Sequence, residues 1–418
     1  MRSSGRRGEA RSARRAVSVT FLVMGLTNGV WNARIPSAKS QVHLSDGTLG
    51  VALFAVPVGL VLGAALAERL VDRAGSALLV RICGVGMCAA AVTPGLARTL
   101  PELMTALFFL GVFAGTLDVA TNAQGVRVEA AYGRPVMTSM HAFYSLGAMF
   151  GSLAGGGLAS LGVALLPSLA AVGAVGAAAD AAAGRWLLAD TGHPVPGQAP
   201  APGQALASEQ AEAPAGSTLL APSRRQVRRL VLMLGVLGIC GLVGEGSAGD
   251  WSAVYLRDNL GTSAGLAALG FAAFSVAMTV GRGVGDLLIR RFGVVTVIRG
   301  CGVIATAGLA VALASASPAL AITGFTAFGA GLSVVVPQVF AAGGRADPDR
   351  PGSGLARVVG LGYTGMATGP AVIGLVANQI GLHLALLIPL ALAAWIAVAA
   401  PALRTPIPIA QRTVNGIP

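Results

Sequence analysis

The amino-acid sequence predicts an all-α membrane protein of twelve transmembrane helices in two pseudo-symmetric six-helix bundles. Three observations predict it. Only 11% of the 418 residues are charged, against roughly a quarter in soluble domains, and the mean hydropathy is +0.74. The apolar residues fall in blocks of about 20, the length a helix needs to cross about 30 Å of hydrocarbon. The second half of the chain also repeats the first, at a spacing of 218 residues.

Residues 1–15 form a basic tail, and the first apolar block, 16–36, ends in Trp31, Asn32 and Arg34. That block is long, closes in polar residues and lacks a small-residue cleavage pattern, so it reads as a span and not a leader peptide. Blocks at 47–70, 77–97, 102–124, 137–161 and 164–189 complete a first bundle over 16–189. Residues 190–228 turn rich in Pro, Ala, Gly and Gln without an apolar period, the composition of a flexible linker. Blocks at 229–256, 264–289, 294–315, 318–342, 354–379 and 383–402 make the second bundle over 229–403, and 404–418 is a tail.

The net charge is +12, and its placement decides its meaning. The alternate loops taken as external hold only Arg34, Lys39, Arg98 and Arg257, and Arg282 lies inside a span. The remaining basic residues gather on the other side, which puts the linker and both termini in the cytoplasm and the chain in the cytoplasmic (inner) membrane. Charge scattered over every second loop does not make a nucleic-acid surface. Cys83, Cys88, Cys240 and Cys301 all fall within spans, with no disulfide or zinc spacing. Lys39 is the only lysine, so no Gly-x-x-x-x-Gly-Lys loop encodes an ATP-driven motor. No nucleophile–base pair or metal-ligand spacing points to an enzyme, and no cofactor is expected.

The repeat aligns GAALAERLVDRAG (63–75) with GRGVGDLLIRRFG (281–293), matching Gly63/Gly281, Leu70/Leu288, Arg73/Arg291 and Gly75/Gly293. In the fifth span of each half Gly147/Gly365, Gly151/Gly369, Gly156/Gly374 and Ala159/Ala377 keep the same register. With a slip of two, GVWNA (29–33) matches GDWSA (249–253). Twelve spans in repeated halves, with an (E/D)-x-x-x-x-R-x-G block closing the second span, resemble the major facilitator superfamily over nearly the whole chain. The stretches DVATNAQGVRVE, HAFYSLGAMFGSLAGG, EGSAGDWSAVYL and GAGLSVVVPQVF are most similar to a bacterial inner-membrane branch distant from the fucose permeases.

The resemblance implies the major facilitator fold, with spans 1, 4, 7 and 10 lining a central cavity helped by 2, 5, 8 and 11. It also implies a cytoplasmic latch at Asp72, Arg73 and Gly75, although Glu68 replaces the usual first glycine and Ser76-Ala77 the usual basic pair. In the second copy Arg290 stands where Asp is expected, leaving Asp286 and Arg291 as the counterparts. Glu68 and Asp286 read as structural, pairing with Arg69, Arg73, Arg282 or Arg291. Gly147-x-x-x-Gly151-Ser-x-x-Gly155-Gly156 resembles the fifth-span exporter signature with Ser152 in place of Pro, but the fourth-span Arg of drug/proton antiporters is replaced by Leu107.

The polar residues agree independently with an inward-facing set. Asp118 and Asn122 lie four apart on span 4, and Asn28 and Asn32 four apart on span 1. Span 7 carries Glu245 between Gly241 and Gly249; span 5 opens with His141 and Tyr144; span 10 carries Ser333, Pro337 and Gln338, and span 11 Tyr363. A carboxylate at a helix centre costs about 2.5–3.5 kcal/mol on the insertion scale, so it should face protein or water. Glu245 and Asp118 are therefore the proton-coupling candidates, and Asn28, Asn32, Asn122, His141, Tyr144, Gln338 and Tyr363 the substrate-binding ones. Asn122 and Gln124 also fit the wet end of span 4, and His141 a hydrogen-bonded boundary residue. Arg34 is expected to face Asp250 across an outer gate, and Trp31 and Trp251 suit interfacial anchors.

Together these features predict a monomeric, proton-coupled secondary transporter in a lipid bilayer, moving a polar or sugar-like small molecule by alternating access. A proton-antiport exporter of a drug or secondary metabolite, and a membrane sensor that moves nothing, are the alternatives.

Overall fold

The computed structural model describes residues 2–132, 136–189, 224–346 and 351–404, and every regular element in them is helical. The first half comprises α1 (Arg2–Val42), α2 (Asp46–Leu53), α3 (Ala55–Ala74), α4 (Ser76–Val92), α5 (Leu100–Tyr132), α6 (Met137–Ser160) and α7 (Leu165–Gly184). The second comprises α8 (Arg224–Val254), α9 (Ala264–Phe292), α10 (Val294–Ala314), α11 (Pro318–Leu332), α12 (Val335–Arg345), α13 (Pro351–Ile380), α14 (Leu382–Ala385) and α15 (Leu387–Ala399). Taken as spans, α2–α3, α11–α12 and α14–α15 are single crossings with a break.

Eleven crossings are long and apolar enough to pass a membrane. The other predicted span is α6, 24 residues long, whose hydropathy His141, Tyr144 and a glycine row pull down. It still presents an exposed apolar stripe of Phe143, Leu146, Phe150 and Leu153 along one face. Boundaries differ from expectation at the ends. The presumed tail before residue 16 is the start of α1, and α8 begins at Arg224 inside the presumed linker. Residues 190–223 and 405–418, the rest of the linker and of the C-terminal tail, lie outside the described residues.

Two breaks have a chemical cause. Proline has no N–H for the carbonyl four residues earlier. Pro57 follows the break at Phe54, and Pro337 follows the break at Ser333 and Val334, leaving the Ser333 carbonyl without its helical donor.

The packing repeats as the sequence does. In the first half α1 packs on α6 and α3 on α5; in the second, α8 packs on α13 and α9 on α11. The repeated glycines make those contacts. Gly147 and Gly151 lie against the α1 backbone at Leu22 and Leu26, and Gly365 and Gly369 against Ile239 and Val243 of α8. Small residues let membrane helices approach closely enough for backbone contact, where lipid supplies no hydrophobic drive.

Across the halves α6 packs on α9 and α2 on α13, a second symmetric pair. Gly156 faces Ala268, the Ser152 hydroxyl donates to the Ala268 carbonyl at 3.0 Å, and Gly50 lies against Pro370 and Gly374. Asn32 of α1 meets Gly249 of α8. These contacts all sit at the end of the bundle that carries the 42–46 turn, so the halves are closed there.

Candidate functional site

Below the closed end, side chains from both halves converge. On α5, Asn122 donates through Nδ2 to the Asp118 carboxylate at 3.1 Å and to its carbonyl at 2.9 Å. Four-residue spacing stacks the two on one helix face, as the sequence predicts. On α8, Glu245 receives Arg282 of α9, whose Nη2 lies 3.3 Å from both carboxylate oxygens. The Arg282 side chain is 40% exposed and Glu245 23%, so the pair opens onto a space and is not sealed in packing.

The two tyrosines tie these groups into one site. The Tyr144 hydroxyl of α6 lies in the field of Asp118, Glu245 and Arg282. The Tyr363 hydroxyl of α13 lies in the field of Asp118, Glu245 and Tyr144. His141, one turn from Tyr144, feels Arg282, holds its Nδ1 3.2 Å from the Met137 carbonyl and packs its ring on Phe21 at 4.3 Å. Asp118, His141 and Tyr144 belong to one half, and Glu245, Arg282 and Tyr363 to the other.

Arg282 is the group that the sequence reading placed elsewhere, as a partner of Glu68 or Asp286. Its Nε donates to the Ser333 carbonyl at 3.3 Å, the acceptor that Pro337 leaves free. The break in the tenth span therefore fixes the guanidinium that pairs with Glu245. Its signal in the sequence was plain: Arg282 is the one basic residue deep inside a predicted span. Gln338, on the first turn of α12, is partly buried beside this break.

The remaining candidates separate by depth. Asn28 is partly buried, whereas Asn32 is 5% exposed and is enclosed in the closed end against Gly249. Gln124 is not a wet helix end: its amide donates to Ser76 Oγ and the Leu188 carbonyl and accepts from the Leu188 N–H. The expected Arg34–Asp250 pair is absent. Arg34, 2% exposed, donates through Nη2 to the Val163 carbonyl at 2.7 Å, toward its own half. Trp31 and Trp251 are buried and not interfacial anchors.

The ion bridge across the closed end is made by Lys39 instead. Its ammonium lies 2.6 Å from Asp46 of the same half and 2.5 Å from Asp258 of the other. Of the expected cytoplasmic latch, Arg73, Asp286 and Arg291 are exposed, with Arg291 over the Phe292 ring at 5.4 Å. The side chains of Glu68 and Asp72 lie outside the described residues. Sequence reading also missed Asp180 of α7, fully buried and bonded to Thr20 of α1 at 2.6 Å, away from the central cluster.

The sequence profile described as Major Facilitator Superfamily matches residues 17–350. The chain belongs to that superfamily. An uncharacterised transporter, y4wD of Sinorhizobium fredii, is 32% identical over 398 residues, covering 93% of this chain and 98% of the relative. The membrane protein MosC of Rhizobium meliloti is 27% identical over 389 residues, 92% of this chain and 88% of that one. Among solved structures, the nucleoside transporter NupG superposes with a TM-score of 0.69 at 12% identity, covering 94% and 100% of the two chains. The Escherichia coli fucose:proton symporter FucP gives 0.59 at 16% identity, covering 94% and 98%. At that identity these structures share the fold. This major facilitator transporter is thus a multi-pass membrane protein and not an enzyme, and it carries a cross-half polar cluster below a closed end.

Proposed function

We propose that this transporter moves a small, polar, hydroxylated solute across the cytoplasmic membrane by alternating access, coupled to protons, and acts as a monomer. What supports the reading is the placement of Tyr144 of one half and Tyr363 of the other within electrostatic reach of both Asp118 and Glu245, with Arg282 paired to Glu245. A solute held between two halves is released when they rock about it, which is what alternating access needs. Asn122, Gln338 and the tyrosine hydroxyls supply hydrogen bonds without fixed charge, suited to hydroxyl groups. Asp118 has an amide and, among the described residues, no cation paired with it, and Glu245 has a long, half-open pair. Both carboxylates can exchange a proton as the site opens and closes.

The excess of basic residues on one side supports a cytoplasmic linker and cytoplasmic termini. The closed end then faces outward and the cluster opens inward. The test is thermal unfolding of the purified protein against panels of sugars, polyols, nucleosides, amino acids and antibiotics. A ligand of the folded state raises the unfolding temperature by mass action. Hydroxylated solutes are expected to do so, and uptake in intact cells against inverted vesicles then gives the direction. A response confined to apolar drugs would replace this reading with the exporter, and no response or flux with any solute would replace it with the sensor.

A further inference from the structure

A groove of about 340 Å³ runs between the ends of α8 and α13 remote from the closed end, outside the central cluster. Arg228 stands on its α8 wall and Arg357 on its α13 wall; Leu232, Gly360, Leu361 and Thr364 complete it, and no acidic residue lines it. We propose that this groove binds one anionic phospholipid of the bilayer, phosphate between the two arginines and acyl chain along the apolar wall.

Three features point to that occupant. Both arginines are exposed, and neither has a hydrogen bond or ion pair among the described residues. Guanidinium groups bind phosphate oxygens through paired N–H donors, so two arginines facing one slot match a phosphodiester. Beyond the groove, each helix continues into apolar exposure. On α8, Leu232 and Val236 are exposed four residues apart, and on α13 Val372 and Leu375 are exposed further along the Arg357 and Thr364 face. Such faces meet lipid chains, so the groove joins a basic mouth to a hydrocarbon wall. Gly360 keeps the slot open, because a side chain there would meet no atom within 4 Å and would occupy the groove.

A general excess of arginine on one membrane side explains charges at helix ends. It does not explain two of them on opposite walls of an apolar groove with no partner among the described residues. Arg224, Arg225 and Arg229, all exposed on the same end of α8, add to the local positive potential. The inference is independent of the transported solute, because it rests on a different surface.

The test uses the full chain purified in detergent, with phosphatidylglycerol or phosphatidylcholine added at equal concentration. Bound lipid is counted by native mass spectrometry, and thermal unfolding is followed in parallel. Phosphatidylglycerol is expected to bind one per chain and to raise the unfolding temperature, with an effect that weakens in high salt. Arg228→Gln or Arg357→Gln should each weaken its binding about tenfold, the worth of a charged hydrogen bond. The double variant should lose the lipid-induced shift while unfolding like the parent without lipid. Equal binding of phosphatidylcholine, or a full shift in the double variant, would overturn the proposal. So would inorganic phosphate matching phosphatidylglycerol, because the site would then recognise an anion without its lipid.

Discussion

At the scale of single residues, the chain from Pro337 to Glu245 shows how a local defect positions an ion pair. Proline withholds one N–H, the Ser333 carbonyl is left free, Arg282 takes it, and the guanidinium is held where Glu245 can pair with it. Arg282→Gln strands a carboxylate in the membrane, at a cost of up to about 2.5–3.5 kcal/mol by the insertion scale. The Arg282→Gln/Glu245→Gln double variant removes both charges and should recover most of that stability without recovering transport. Thermal unfolding and uptake, measured side by side across the cycle, check it. Equal stability in the single and double variants would mean that the pair is not coupled. The Asp118–Asn122 pair was legible because four-residue spacing fixes a helix face. Arg282 was not assigned, because Asp286 lies four residues away on the same helix and offers a local partner that the structure does not use.

At the scale of elements, glycine position matters more than glycine content. Gly147 lies on the α1 backbone at Leu22, whereas a side chain on Gly157 would meet nothing within 4 Å. Gly147→Val should therefore cost about 1–3 kcal/mol, the usual penalty of overpacking, and lower the unfolding temperature clearly. Gly157→Ala should leave stability unchanged or raise it by up to about 1 kcal/mol through helix propensity. The reverse order would show that α6 does not pack as described. Both glycine rows were legible from the repeat, since identical spacing in two halves exposes a shared packing surface. Helix limits were less so: α1 and α8 extend into basic stretches that hydropathy ends early. The burial of Trp31 and Trp251 was illegible, because a tryptophan at the end of a span suits an interfacial anchor as well as a packed interior.

At the scale of the whole molecule, the repeat supplies the packing and departures from it supply the chemistry. Ala64 stands where the repeat places Arg282, Gly25 opposite Glu245 and Val336 opposite Asp118, so the two halves present unlike groups to one space. The closed end depends on contact between halves, and this is why the sequence misassigned its ion bridge. Arg34 and Asp250 both stand at the outer ends of the repeated first helices, but Lys39 reaches both Asp46 and Asp258 from the last turn of α1. Lys39→Met should loosen that end modestly. A partly exposed pair is worth up to about 1 kcal/mol, a population shift of no more than about fivefold. Spin labels at Ser40 and Asn259 should report a larger share of long distances in the variant. Unchanged distances would mean that the helix contacts close this end without the ion bridge.

The central claim is that the cross-half cluster couples solute movement to protons. Purified protein in liposomes, with an imposed pH gradient and a labelled solute found by the unfolding screen, tests it directly. The parent should accumulate solute against its concentration, Asp118→Asn and Glu245→Gln should abolish accumulation, and solute exchange without a gradient should survive in at least one of them. Gradient-driven accumulation that persists in both variants would contradict the account.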